Sequence, residues 1–93
     1  MKKCIKITFE ASIPKGFLQA SVQKHAREFS IEGMAQIILS ENQVRVIACG
    51  EKEAIDNFLD NLHKDFSKAH IADIEIEPFL RDKDYRGVFR IIE

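Results

Sequence analysis

From Cys4 to Ala11 apolar and polar side chains alternate, with Ile5, Ile7, Phe9 and Ala11 on one side and Cys4, Lys6, Thr8 and Glu10 on the other. A period of two over eight residues predicts a half-buried strand. Residues 12–16 break the alternation with Pro14 and Gly16, which marks a loop. Leu18, Val22, Ala26 and Phe29 then recur at helical spacing, while Gln23, Lys24, Arg27 and Glu28 fall on the other side, predicting a helix with one buried face. Residues 32–39 and 43–49 are β-branched and apolar and flank the polar joint Ser40-Glu41-Asn42, so they read as two strands joined by a short turn. Gly50-Glu51-Lys52-Glu53 opens a second helix, with acidic residues where the positive end of its dipole lies. Ala54, Ile55, Phe58, Leu59, Leu62 and Phe66 form the apolar stripe of that helix, and Lys64 and Lys68 stand near its end.

Ile74 and Ile76 alternate with Asp73, Glu75 and Glu77 in a fourth strand that stops at Pro78, and after a polar loop over residues 81–86 a last short strand covers residues 88–92. The order is βαββαβ closed by that final strand. It predicts an α+β fold, a ferredoxin-like α/β sandwich with two helices on one face of an antiparallel sheet. Ninety-three residues without a linker, a fixed-period repeat or a low-complexity tract make one domain, residues 1–93.

Composition narrows the function classes. The chain is 45% hydrophobic and 31% charged with a net charge of -1, which gives no overall reason to bind nucleic acid or an anionic membrane. No stretch approaches the length of a membrane span, and Met1-Lys2-Lys3-Cys4-Ile5-Lys6 lacks the apolar centre of a signal peptide. Cys4 and Cys49 are far apart and form no Cys-x-x-Cys pair, so a disulfide framework is not indicated and a reduced, cytoplasmic protein is expected. His25, His63 and His70 share neither a helix face nor a metal-like spacing, so neither a metal nor a cofactor is expected. The carboxylates of residues 73–77 read as the solvent face of a strand.

Ile13-Pro14-Lys15-Gly16-Phe17-Leu18-Gln19 resembles, in place and length, the acylphosphatase signature Val-Gln-Gly-Val-x-Phe-Arg. Ile31-x-Gly33-Met34-Ala35 is similar to that family's Leu-x-Gly-Trp-Val, Val44 and Gly50 resemble the Val and Gly of its next strand, and Phe89-Arg90-Ile91 is similar to its closing Phe-x-Ile. The resemblance implies a loop whose backbone amides, with the arginine, hold a phosphate, and an asparagine on the second strand that orients the attacking water. Gln19 stands at the arginine position and Ile37 at the asparagine position, and a shift of one residue offers only Ile38. A guanidinium is always charged and presents a planar fork of donors; a glutamine amide is neutral and has two donors on one nitrogen.

The candidate anion-binding loop therefore comprises Pro14, Lys15, Gly16, Phe17, Leu18 and Gln19, with no catalytic residue confirmed in it. Pro14 supplies no backbone N–H. Lys15 stands at the family's glycine, and Gly16 one position later points to a shifted turn. Lys15 is also the one cation of the loop that could meet a phosphate-like anion. In the resembling fold the first and third strands are neighbours, which brings Cys4 and Cys49 near one another on the sheet face away from the helices. Ile38 and Ile47 could reach that same open face, so a protein partner or self-association through it is one expectation.

Two functions follow. One is a noncatalytic acylphosphatase-like domain that binds a protein partner or a small anion. The other is acylphosphatase-type hydrolysis of acyl phosphates by a remodelled site with Lys15 as its cation. Nucleic-acid binding, as in other βαββαβ modules, lacks the aromatic pair on the central strands.

Overall fold

The alternation of Ile5, Ile7 and Phe9 is realised as β1, Lys2–Glu10, with those three side chains buried beneath the helices. The computed structural model describes residues 2–71, 73–80 and 87–92, so the polar loop expected over residues 81–86 lies outside the described residues. A π-helical stretch, Leu18–Gln23, runs directly into α1, Lys24–Glu28. Strands β2, Glu32–Ile38, and β3, Gln43–Glu51, are joined by a 3-10 turn, Leu39–Glu41, and by Asn42 in the left-handed region (φ 51) that its short polar side chain tolerates. The second long helix, α2, is Lys52–Lys68, and β4, Glu75–Pro78, and β5, Phe89–Ile92, complete the chain.

The strand order is β4-β1-β3-β2-β5. Pairs β1/β3, β1/β4 and β2/β3 are antiparallel, whereas β5 runs parallel to β2. The sheet is therefore mixed and not wholly antiparallel. The helices bury one face of it: Val22 and Ala26 with Ile55, Phe58, Leu62 and Phe66 pack on Ile5, Ile7, Phe9, Ala35, Val44, Val46 and Ala48. Gly50, read from the sequence as opening the second helix, ends up inside β3, because Lys3 pairs with it across the ladder.

Gly33 shows why the second quoted motif contains glycine. Its φ is +145, and a Cβ there would run into the carbonyl group of Ile47 on the neighbouring strand. We expect Gly33→Ala to lower unfolding stability by about 3 kcal/mol, the upper range for overpacking with backbone strain. Urea titration measures this directly, and a variant within 0.5 kcal/mol of the parent, roughly the scatter of neutral surface changes, would contradict the reading.

Candidate functional site

The loop after β1 is held from both ends. The Ala11 N–H donates to the Asn42 carbonyl (3.0 Å), tying the end of β1 to the β2–β3 hairpin, and the Phe17 N–H donates back to the Pro14 carbonyl (3.1 Å). That bond closes a turn over Pro14, Lys15, Gly16 and Phe17, with Gly16 at φ 78 and open space where its Cβ would stand. The positive φ thus falls on Gly16, not on Lys15, and the glycine is required for its backbone and not for room. The Gly16 carbonyl then accepts from the Ala20 N–H (2.9 Å) and starts the helix.

These bonds sort the six loop residues. Phe17 and Leu18 are buried, and Phe17 stacks on Phe66 with ring centroids 5.8 Å apart, so their side chains anchor the loop to the core. Pro14, Lys15, Gly16 and Gln19 are exposed. Ile37 faces the helix layer and packs against the core cluster. The pairing of Phe9 with Val44, and of Val44 with Ile37, puts Ile37 at the end of the sheet where β1 passes into the loop. The structure thus brings Ile37 and the loop to one end of the sheet.

Beside the loop lies a shallow groove of about 370 Å³ lined by Pro14, Phe17, Ala20, Ser21, Asp65, Lys68 and Ala69. Asp65 is its negative group. The Ser21 hydroxyl donates to Asp65 Oδ2 (2.6 Å), His25 Nε2 lies 2.9 Å from the same oxygen, and His25 Nδ1 lies 3.1 Å from Glu28 Oε1. Serine, histidine and aspartate meet here in the wrong order for nucleophilic catalysis. The hydroxyl donates its hydrogen bond to the carboxylate, and among the described residues no hydrogen bond joins it to the imidazole that would have to act as base. The cluster instead clamps the first helix to α2. Sequence reasoning missed it because 40 residues separate His25 from Asp65.

The Ser21 hydrogen bond, reinforced by the His25 hydrogen bond and the charges of His25 and Lys68, holds the Asp65 carboxyl below its ordinary value against the opposing effect of burial. A depressed folded pKa contributes stability that is present above the unfolded value and is lost as pH falls through the folded one. Asp65→Asn should therefore cost about 1 kcal/mol at pH 7, a charged hydrogen bond discounted for partial exposure. The gap should narrow at about pH 3, under the ordinary aspartate value of about 3.9. Urea unfolding of both proteins at the two pH values checks it; a gap independent of pH would contradict it.

On the opposite face Cys4 and Cys49 stand directly across the β1/β3 ladder, 4.1 Å apart at Cα, and are joined by a disulfide. This corrects the expectation of two unbridged thiols. The register, not the sequence spacing, makes the bond. The face is also less open than the pattern suggests, since Ile47 and Cys49 are buried with Cys4, Met34 and Phe79 packed against them. Among the described residues no group of His, Cys, Asp and Glu could hold a metal ion, and no helix is long and apolar enough to cross a membrane.

The comparisons with known proteins agree with this arrangement. The acylphosphatase family model matches residues 15–91. An acylphosphatase from Coxiella burnetii superposes with a TM-score of 0.76 at 26% identity, over 98% of this chain and 93% of that one. An acylphosphatase from Bacillus subtilis superposes with a TM-score of 0.78 at 17% identity over the whole of both chains. The fold also matches 12% of HypF from T. kodakarensis, with a TM-score of 0.74 at 23% identity over the whole of this chain. No curated protein sequence matches the chain. With most of its length covered by the family model, the chain belongs to the acylphosphatase family.

Proposed function

We propose that this chain is a noncatalytic acylphosphatase-like domain that binds a protein partner or a small anion. The observation that carries the reading is the pair Gln19 and Ile37, standing where the family resemblance calls for the arginine and the asparagine. Without a guanidinium no side chain of the loop offers a charged planar fork to two phosphate oxygens. An aliphatic side chain cannot orient a water. Loss of one charged donor aimed at developing charge lowers a rate on the order of 10²-fold or more.

Anion binding by the loop is a narrower reading. Pro14 has no N–H, and the N–H groups of Phe17 and Ala20 are already used within the turn and the helix start. A phosphate-like anion would draw on Lys15, on the amides of Gly16, Leu18 and Gln19, and on the Gln19 side chain. Asp65 in the neighbouring groove opposes it. The second reading, acyl phosphate hydrolysis with Lys15 as the phosphate cation, is favoured by the exposure of Lys15 within the turn. Hydrolysis of benzoyl phosphate by the unmodified protein separates the two. The uncatalysed rate is expected, and turnover that disappears in Lys15→Ala would replace the first reading with the second.

A cytoplasmic location stays within this proposal, and the disulfide weighs against it, because cytosolic thiols are kept reduced. Alkylation of Cys4 and Cys49 in intact cells decides the point: labelled thiols fit the cytoplasm, and protected ones an oxidising compartment.

A further inference from the structure

The disulfide does more than tie two strands together, because it also forms part of the wall of a cavity. A space of about 360 Å³ beside the end of β4 is lined by Lys2, Lys3, Cys4, Cys49, Phe79 and Leu80. Two of its lining residues are apolar and two are cationic, and among the described residues no carboxylate lines it. The nearest acidic groups stand further out: Asp56 Oδ1 lies 3.8 Å from Lys3 Nζ, and Glu51 is opposite Lys2 in the ladder. Lys2 and Cys4 are two residues apart in β1 and so share a face of the strand.

The two sulfurs are not equivalent. Cys49 is 2% exposed, whereas Cys4 is half-buried. The Phe79 N–H donates to the Cys4 carbonyl (3.1 Å), which sets Phe79, Cys4 and Cys49 in one row from the end of β4 across β1 to β3. Displacement at a disulfide sulfur runs in line, with the nucleophile entering opposite the sulfur that departs. Entry opposite Cys49 means entry at Cys4 from the β4 side, where Phe79 and Leu80 bound the cavity. Leu80 is 91% exposed, so the cavity opens to solvent on that side.

We propose that Cys4 is a site of thiol–disulfide exchange with a small acidic thiol, one that carries carboxylates beside its sulfur. The incoming thiolate forms a bond to Cys4 Sγ, the Cys4–Cys49 bond breaks, and its electron pair leaves on Cys49 Sγ. Cys49 then takes up from water the proton that the incoming thiol gave up. The small thiol is oxidised into the mixed disulfide as Cys49 is reduced, so the step needs no other oxidant or reductant. Lys2 and Lys3 favour the thiolate over the thiol and meet the carboxylates with opposite charge. Cys49, held across the ladder from Cys4, reverses the step when the small thiol is scarce. The site lies away from the loop after β1, and the inference does not depend on whether that loop binds or catalyses.

Reduced glutathione, an acidic thiol, added to the full-length, disulfide-bonded protein tests it, with neutral mercaptoethanol as the comparison. Samples are quenched with an alkylating reagent and read by intact mass and peptide mapping. The disulfide should open at a rate proportional to glutathione concentration and unchanged by low urea, with the first adduct on Cys4 and the alkyl group on Cys49. Lys2→Gln with Lys3→Gln should slow the reaction with glutathione several-fold and leave that with mercaptoethanol unaltered. A first adduct on Cys49, or opening with no adduct trapped on Cys4, overturns the proposal. So does a rate that levels off with glutathione and rises with urea, because exchange then waits on global unfolding, or a lysine variant with the parent's preference between the two thiols. Acyl phosphate hydrolysis decides the proposed function separately, whichever result is found here.

Discussion

Reduction of the Cys4–Cys49 disulfide is expected to lower the stability of the domain by about 4 kcal/mol, taking the chain-entropy value for a bond that spans 45 residues. The bond ties the two strands whose ladder forms the centre of the sheet, from Lys2 opposite Glu51 to Glu10 opposite Gln43. In the unfolded chain it removes the freedom of everything between them, which includes the loop, the first helix and β2. For a domain of this size, 4 kcal/mol corresponds to a fall in Tm of about 15–30 °C. Thermal melts with and without a phosphine reductant, beside Cys4→Ala with Cys49→Ala, read the effect. The reduced protein and the double variant should melt together, well below the oxidised one. A common Tm for all three would contradict the account.

Introducing at positions 19 and 37 the two side chains that the proposed reading calls for is expected to have the largest effect on activity. Gln19 lies exposed in the first turn after Gly16, where a longer side chain meets no packing. Ile37 sits at the loop end of β2, half-buried, and an asparagine is smaller than the isoleucine it would replace. Gln19→Arg with Ile37→Asn should raise benzoyl phosphate hydrolysis on the order of 10²-fold over the unmodified protein, the usual worth of a charged donor directed at transition-state charge. Losing Ile37 from the core edge costs about 1 kcal/mol or more. The oxidised disulfide leaves room for that. Gln19→Arg alone should bind phosphate without efficient turnover, since no residue then positions the water.

Much of the fold was legible because local pattern and global fold agree. The alternation of Ile5, Ile7 and Phe9 and the helical stripe from Ala54 to Phe66 each have one period and one buried face, and the structure buries those faces. The parallel pairing of β5 with β2 was not legible, since neither Phe89-Arg90-Ile91-Ile92 nor its length states a direction. The disulfide and the Ser21–Asp65–His25 clamp were missed for one shared reason. Each joins residues 40 or more apart, and only strand register or helix packing brings them together. That Arg45 Nε is buried with no hydrogen-bond partner among the described residues depends on how its stem lies against its neighbours, which no alternation encodes.

At the loop, sequence and structure meet more closely. Gly16 is readable in the letters as a breaker between the first strand and the first helix, and its positive φ is the physical expression of that. Phe17 and Leu18 are pinned in the core, while Pro14, Lys15, Gly16 and Gln19 stand at the surface. A scaffold fixed by apolar anchors can keep its shape while its exposed side chains drift, because packing acts on the anchors alone.

Whether the domain turns over acyl phosphates decides between the two proposed readings. The measurement that tests this most directly is the rate of benzoyl phosphate hydrolysis by the unmodified protein and by the Gln19→Arg, Ile37→Asn variant, side by side. The account predicts the uncatalysed rate in the first and clear turnover in the second. Turnover by the unmodified protein, equal to or above that of the variant, would contradict it.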